Sequence, residues 1–326
     1  MTQHRIGILF NLLALLPACV LAQGAGDYPA KPVVMVVPYE GGGATTTEFR
    51  LYAETASTLT GKRFIVDGRA GAGTTLGTAY AAKAAPDGYT LLAATVPLAI
   101  SPAVYPDLPY NAIRDFAPIT LMSKKAYALI VHVNVPVNNM QEYFAYVRAN
   151  PGKLNYGTAG LGGAVHLPGE LLHHMTNTKV VFIHYKNSSQ RIPDLLANRL
   201  DVTLNAPLTS LANAKAGKVR ILGVTSNQRL PLLPDVPTIE EQGLSGYEAG
   251  SWAGIVTQAK VHPVIIARLN EIFLQVLKDP GVVGRHNKEA ALMIGSTPEQ
   301  FRQHIATETG RWGKLIKETG IKPADD

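Results

Sequence analysis

The stretch "VVPYEGGGATTTEFR", residues 36–50, decides how the chain is read. It starts as an apolar strand, breaks at Gly41, Gly42 and Gly43, and resumes as a helix whose first turn is crowded with threonine. Upstream the strand extends through "VVMVV" (33–37), an unbroken apolar run of the kind buried on both faces of a sheet. "RFIV" (63–66) and "YTLLAA" (89–94) are strands of the same type, and residues 46–59 and 74–84 read as helices between them. The order is βαβαβ, which predicts a parallel sheet with helices on both faces.

A second α/β series follows. "FAPITLM", "YALIVHV", "KLNYGTAG", "KVVFIHY", "DVTLN" and "VRILGVT" read as strands. Helices are expected over "NMQEYFAYVRAN", over about residues 163–175 and over "SQRIPDLLA". The proline-rich stretch 229–243 reads as a loop outside the core, "SWAGIVT" as one more strand, and 263–277 and 298–317 as two amphipathic helices. Two series in one chain predict two lobes: residues 28–122 with 250–326 as the first, into which the terminal helices return, and 123–249 as the second. Ligands of such folds sit where the carboxyl ends of facing strands meet.

With 326 residues, 46% hydrophobic and 17% charged, the chain can bury a sizeable core without further support. Residues 1–22 carry one charge, Arg5, then an apolar run to Leu16, then small residues, the order of a secretory signal. The single cysteine, Cys19, lies in that segment. Cleavage after Ala22 removes it, whereas "LPAC" read as a lipoprotein box would keep it as an acylated anchor. On either reading the fold has no disulfide. The net charge is +6, but Lys and Arg are scattered, with no run beyond pairs such as Lys124 and Lys125. The concentrated basic stripe of a nucleic-acid binder is missing.

Three junctions carry the chemistry: residues 38–46, 68–77 and 156–166, each passing from a strand through glycines into a helix. Unpaired amides and the positive end of the helix dipole attract an anion there, and glycine allows close approach. A tight turn alone accounts for any one junction. Three in one chain, two in the first lobe and one in the second, favour a shared anion site. A dinucleotide is disfavoured because "YTLLAAT" ends in Thr95 without the acid that holds a ribose, and no P-loop lysine occurs. No G-x-S-x-G elbow is present, so no enzymatic nucleophile stands out and no cofactor is expected. His166, Glu170, His173 and His174 share helical spacing compatible with a metal, but long amphipathic helices place polar residues this way routinely. Tyr39 either lines a pocket or packs in the core, and Glu40 is expected to face solvent. A carboxylate is the guest left standing, since each hydrogen bond to a charged group contributes roughly 1.5–3 kcal/mol.

"YPAKPVVMVVPYEGGGATTTEFR", "GRAGAGTTLGTAYAAKAAPDGYTLL", "YGTAGLGGAVHLPGELL", "IHYKNSSQRIPDLLANRLDVTLN" and the block from "AGKVRILGVT" to "GSWAGI" resemble, in order, the recurring blocks of the Bug-type substrate-binding proteins of tripartite tricarboxylate transporters. The resemblance covers essentially the whole mature chain. It implies a periplasmic, monomeric, non-enzymatic receptor of two-lobed type II (Venus-flytrap) α/β architecture that closes on a small carboxylate and delivers it to a membrane permease. A receptor signalling to a sensor partner would use the same cleft, and a periplasmic hydrolase is the third alternative. Carried over by position, the ligand-binding residues implied are Tyr39, Gly42, Gly43, Thr46, Thr74, Thr75, Thr95, Thr158, Ala159, Gly163, Ala164, His166 and Asn205. The chain departs from the family pattern in having Thr46 and Asn205 where aspartates are usual, and Gly163 where a hydroxyl is common. Those departures imply less negative charge in the cleft and more room: a ligand without an amine, such as a dicarboxylate, with a bulky or aromatic body such as terephthalate.

Overall fold

The computed structural model describes residues 28–41, 43–105, 107–158, 164–185 and 188–321. The leader with Cys19, and the site candidates Gly42, Ala159 and Gly163, lie outside these residues. The chain runs through β1 (Val33–Val37), α1 (Ala44–Thr60), β2 (Phe64–Gly68), α2 (Thr75–Ala82), β3 (Thr90–Thr95), α3 (Val96–Val104) and β4 (Phe116–Ala126). It then passes through β5 (Ala128–His132), α4 (Met140–Ala149), β6 (Asn155–Thr158), α5 (Leu167–Thr176), β7 (Val181–His184), α6 (Arg191–Leu196), β8 (Val202–Asn205), α7 (Pro207–Lys215) and β9 (Val219–Val224). It returns through β10 (Gly250–Gln258), α8 (Pro263–Val276), α9 (Pro280–Glu289), β11 (Ala291–Met293) and α10 (Pro298–Thr319).

Two sheets result, ordered β11-β4-β10-β3-β1-β2 and β7-β6-β8-β5-β9. The parallel sheet expected from βαβαβ is found only among β1, β2 and β3. β10 runs antiparallel to both β3 and β4, and β11 is antiparallel to β4. The reason is connectivity: β4 leaves toward the second sheet and β10 comes back from it, so neighbouring crossings point in opposite directions. The second sheet is mixed in the same way, with β6 parallel to β7 and β8, and β5 antiparallel to β8 and β9.

Tyr127 is the single residue between β4 and β5, so the outward crossing is nearly a continuous strand. It is tied to the return crossing by two hydrogen bonds, Tyr127 N to Thr225 Oγ1 at 2.8 Å and Thr225 N to the Tyr127 carbonyl at 2.9 Å. Gly250 starts β10 where a Cβ would overlap the Lys125 carbonyl oxygen, so the two crossings can lie this close only with glycine there.

The first sheet is covered on both faces, which explains its apolar strands. Val33, Met35, Phe49, Tyr52 and Phe273 fill one side, and Leu92, Leu98, Trp252 and Phe301 the other. Leu129, Tyr143, Tyr156 and Leu172 anchor one side of the second sheet. Leu230, Leu233 and Ile239 are also buried, which corrects the expectation that the proline-rich stretch lies outside the core. Prolines fix that segment's backbone while its isolated leucines fill gaps beside β9, and packing of this kind has no periodicity to detect. The terminal helix does not serve one lobe only. Phe301 and Ile305 of α10 join the first-lobe core, and Trp312, Leu315 and Ile316 join the second-lobe core. A capping box between Thr297 and Gln300 starts it, and Gly320 in the left-handed region stops it.

Candidate functional site

A cavity of about 410 Å³ opens between the lobes beside the two crossings. Three helices begin at its wall: Thr45 belongs to the first turn of α1, Val96 and Pro97 to that of α3, and Ala164, Leu167 and Pro168 bracket the start of α5. Their N-cap residues, Gly43, Thr95 and His166, make no side-chain capping bond. The first two helices come from one lobe and the third from the other, so partial positive charge from both lobes converges on one space.

The rest of the wall is largely apolar. Tyr39, Ile100, Tyr127, Trp252 and Trp312 line it. Trp252 Nε1 and Trp312 Nε1 both donate to Glu308 Oε2, at 3.3 and 2.9 Å, so the indoles offer the cavity only apolar ring. The Tyr39 hydroxyl is 2.7 Å from Thr95 Oγ1, and burial pushes its pKa up, so it remains a neutral phenol. Glu40 is exposed, as expected.

Glu48, Ser123 and Lys125 form a charged corner of the same wall. Glu48 Oε1 accepts from Tyr52 Oη at 2.8 Å and Ser123 Oγ at 2.9 Å, and its Oε2 accepts from Lys125 Nζ at 2.7 Å. Lys125 Nζ donates also to Glu289 Oε2 at 2.6 Å. Burial alone would raise the Glu48 pKa, but the ammonium and the three hydrogen bonds hold it below the usual carboxylate range. Burial alone would likewise lower the Lys125 pKa, and Glu48 and Glu289 hold it above the ordinary lysine value. Glu48 therefore stays ionised with its oxygens committed.

Of the residues singled out in the sequence, Tyr39, Thr95 and Ala164 line this cavity, and Gly43 caps the helix that reaches it. Thr46 is buried with its hydroxyl donated to the Glu40 carbonyl at 2.7 Å, and its neighbour Thr45 faces the cavity instead. Thr74 and Thr75 are not in the wall. Thr74 adopts a left-handed φ of 80°, and the Thr75 hydroxyl donates to the Ala72 carbonyl at 2.8 Å, closing its own turn. Thr158 Oγ1 is 2.8 Å from His184 Nδ1, and His166 Nε2 is 3.2 Å from Glu170 Oε1, with the His166 ring edge-on to His184. Asn205 lies in a separate polar group with Arg191 and Ser210. The histidine spacing on α5 does not gather a metal site. His173 is buried between Tyr143 and Thr178, which pushes its pKa down to about 3, and His174 pairs with Glu318. Among the described residues no three metal-ligating groups converge.

Residues 48–321 match the profile of the tripartite tricarboxylate transporter family receptors. The chain belongs to that family. Within it, a protein from the tcbD–tcbE intergenic region of Pseudomonas sp. strain P51 is 34% identical, over 94% of this chain and 91% of its own length. Protein BugT of Bordetella pertussis is 32% identical, over 91% and 92% respectively. Among solved structures, the periplasmic binding protein BugD superposes with a TM-score of 0.69 at 31% identity, covering 91% of this chain and all of that one. An R. palustris protein solved with adipate gives 0.71 at 31% identity, with the same coverage. The architecture is thus the two-lobed α/β type of the periplasmic binding proteins. Among the described residues no helix is long and apolar enough to cross a membrane.

For a receptor of this family the sequence reading missed Glu48, Lys125, Tyr127 and both tryptophans as cavity residues. Its inference that the cleft lost negative charge at Thr46 also needs amending, because Glu48, two residues further along α1, supplies a carboxylate to the cavity wall, neutralised by Lys125. The only hint in the sequence is a charged residue among the apolar positions of α1. Its lysine lies 77 residues further on.

Proposed function

We propose that this protein is a periplasmic solute receptor that closes on a small dicarboxylate lacking an amine, with an apolar or aromatic body, and delivers it to a tripartite tricarboxylate transporter permease. The observation that carries the reading is the convergence of three side-chain-uncapped helix starts, from both lobes, on one apolar-walled cavity. A carboxylate satisfies helix amides, and rings or methylenes satisfy the indole and phenol walls. Glu48 could grip an amine only by giving up Lys125, Tyr52 and Ser123, which argues against amino acids. Adipate in one relative and malate in another, MatC of Rhodopseudomonas palustris at 27% identity, belong to the same chemical class.

Thermal unfolding with terephthalate, adipate, citrate and glutamate tests this. A ligand present at about 100 times its dissociation constant stabilises by about 2.7 kcal/mol, enough to separate binders from non-binders. Stabilisation by a dicarboxylate and none by glutamate is the expected result. Stabilisation by glutamate alone contradicts it.

A further inference from the structure

The outward crossing meets the cavity at alternate positions. Ser123, Lys125 and, just past the end of β4, Tyr127 line it, while Lys124 and Ala126 between them do not. That is the side-chain period of a strand, so the cavity meets the side chain of Lys125 and not its backbone alone. Across the ladder its neighbour is Ser251, which lines the same wall. Among the described residues of the wall, Lys125 is the one cationic side chain.

An ammonium has three N–H donors. Lys125 Nζ uses two of them, on Glu48 Oε2 at 2.7 Å and on Glu289 Oε2 at 2.6 Å, and makes no third hydrogen bond among the described residues. Its charge is not consumed by these two acids. Glu289 Oε1 is held by Arg285 Nη2 at 2.8 Å, so two carboxylates face one ammonium and one guanidinium and the four charges cancel. Glu48 Oε1 is occupied in addition by the Tyr52 and Ser123 hydroxyls. Glu289 is not in the wall, and the Glu48 side chain is 5% exposed against 25% for Lys125. The corner therefore offers an incoming group more of its cation than of its anions.

We infer that Lys125 is a specificity-determining residue of the cleft, donating its third N–H to the second carboxylate of a dicarboxylate whose first carboxylate lies at the helix starts. This rests on the carboxylate reading of the cleft and names what that reading leaves open, why two charges are preferred to one. Glu48 has the opposite effect in the same corner: it keeps Lys125 in place and competes with the ligand for it.

Titration calorimetry of the full chain with adipate and terephthalate, each against its monomethyl ester, tests the assignment. The wild type binds the diacids at least about tenfold more tightly than the monoesters, the size of one charge-assisted hydrogen bond. Glu48→Gln replaces the competing charge with a neutral amide and raises that ratio at least about threefold further. Lys125→Met, made in the Glu48→Gln background so that no buried carboxylate is left unpaired, brings the ratio to within about twofold of one. A folded double variant that keeps the wild-type ratio, even with both affinities lowered, shows a structural role only and overturns the assignment. Should the double variant fail to fold, Glu48→Gln alone decides, and a ratio unchanged or lowered in it overturns the assignment. A wild-type protein binding diacid and monoester equally overturns the assignment and leaves the carboxylate reading standing. Failure of the wild type to bind either acid in either form overturns the carboxylate reading itself, and the assignment with it.

Discussion

Lys125 Nζ sits between Glu48 and Glu289, at 2.7 and 2.6 Å, in a corner that faces the cleft on one side and the first-lobe core on the other. Glu48 is 4% exposed, so its charge is tolerated only because every oxygen has a donor. Glu48→Gln should cost about 1–3 kcal/mol in urea unfolding at neutral pH, rather than more, because Lys125 retains Glu289. The depressed Glu48 pKa also fixes a sign. Below the ordinary value of 4.5 the unfolded chain binds the proton first, so Glu48 stabilises above that pH and its contribution fades as pH falls through the lower folded value. The glutamine variant should therefore lose less stability than wild type on acidification below pH 4.5, as measured by thermal melts across pH 3–6. Beyond the lone charge of Glu48 among the apolar positions of α1, this network was not legible in the sequence, because its members, Glu48, Ser123, Lys125 and Glu289, are brought together from α1, β4 and α9 by tertiary structure alone.

Among the elements, the strands other than β11, and the helices α8 and α10, were legible because local pattern and tertiary role agree. The run 33–37 is β1 residue for residue, and residues 298–317 fall within α10, whose start carries the Thr297 and Gln300 box. The helices α3, α7 and α9 were not read. α3 continues an apolar strand without a polar break and contains Pro102, so neither period marks its start. Yet the start of α3, with those of α1 and α5, lies at the cavity wall. Ala164 is exposed at the approach to α5 and lines the cavity, which makes it a clean place to add competing charge. Ala164→Asp should leave the melting temperature unchanged or slightly raised, since an acid at a helix start contributes about 0.3–1 kcal/mol. It should weaken carboxylate binding by about tenfold or more in calorimetry, because a fixed carboxylate then occupies the same positive end.

The whole molecule is two α/β lobes joined by two crossings and clasped by one long helix. The crossings meet at Tyr127 and Thr225, and α10 packs Phe301 into one core and Trp312 into the other. Two lobes could be read from two α/β series, but the sharing of α10 could not, since an amphipathic pattern shows that a face is buried and not against what. That sharing sets Trp312 in the cavity wall beside Trp252, and these are the chain's only two tryptophans. Tryptophan emission therefore comes only from two residues of the cavity wall. Titrating adipate or terephthalate while recording tryptophan emission, in wild type and in Ala164→Asp, probes the site directly. A saturable change at one acid per chain, lost or shifted to about tenfold higher concentration in the variant, is what converging helix starts predict. Binding detected by calorimetry with flat emission, or an aspartate variant that binds as well as wild type, would contradict it.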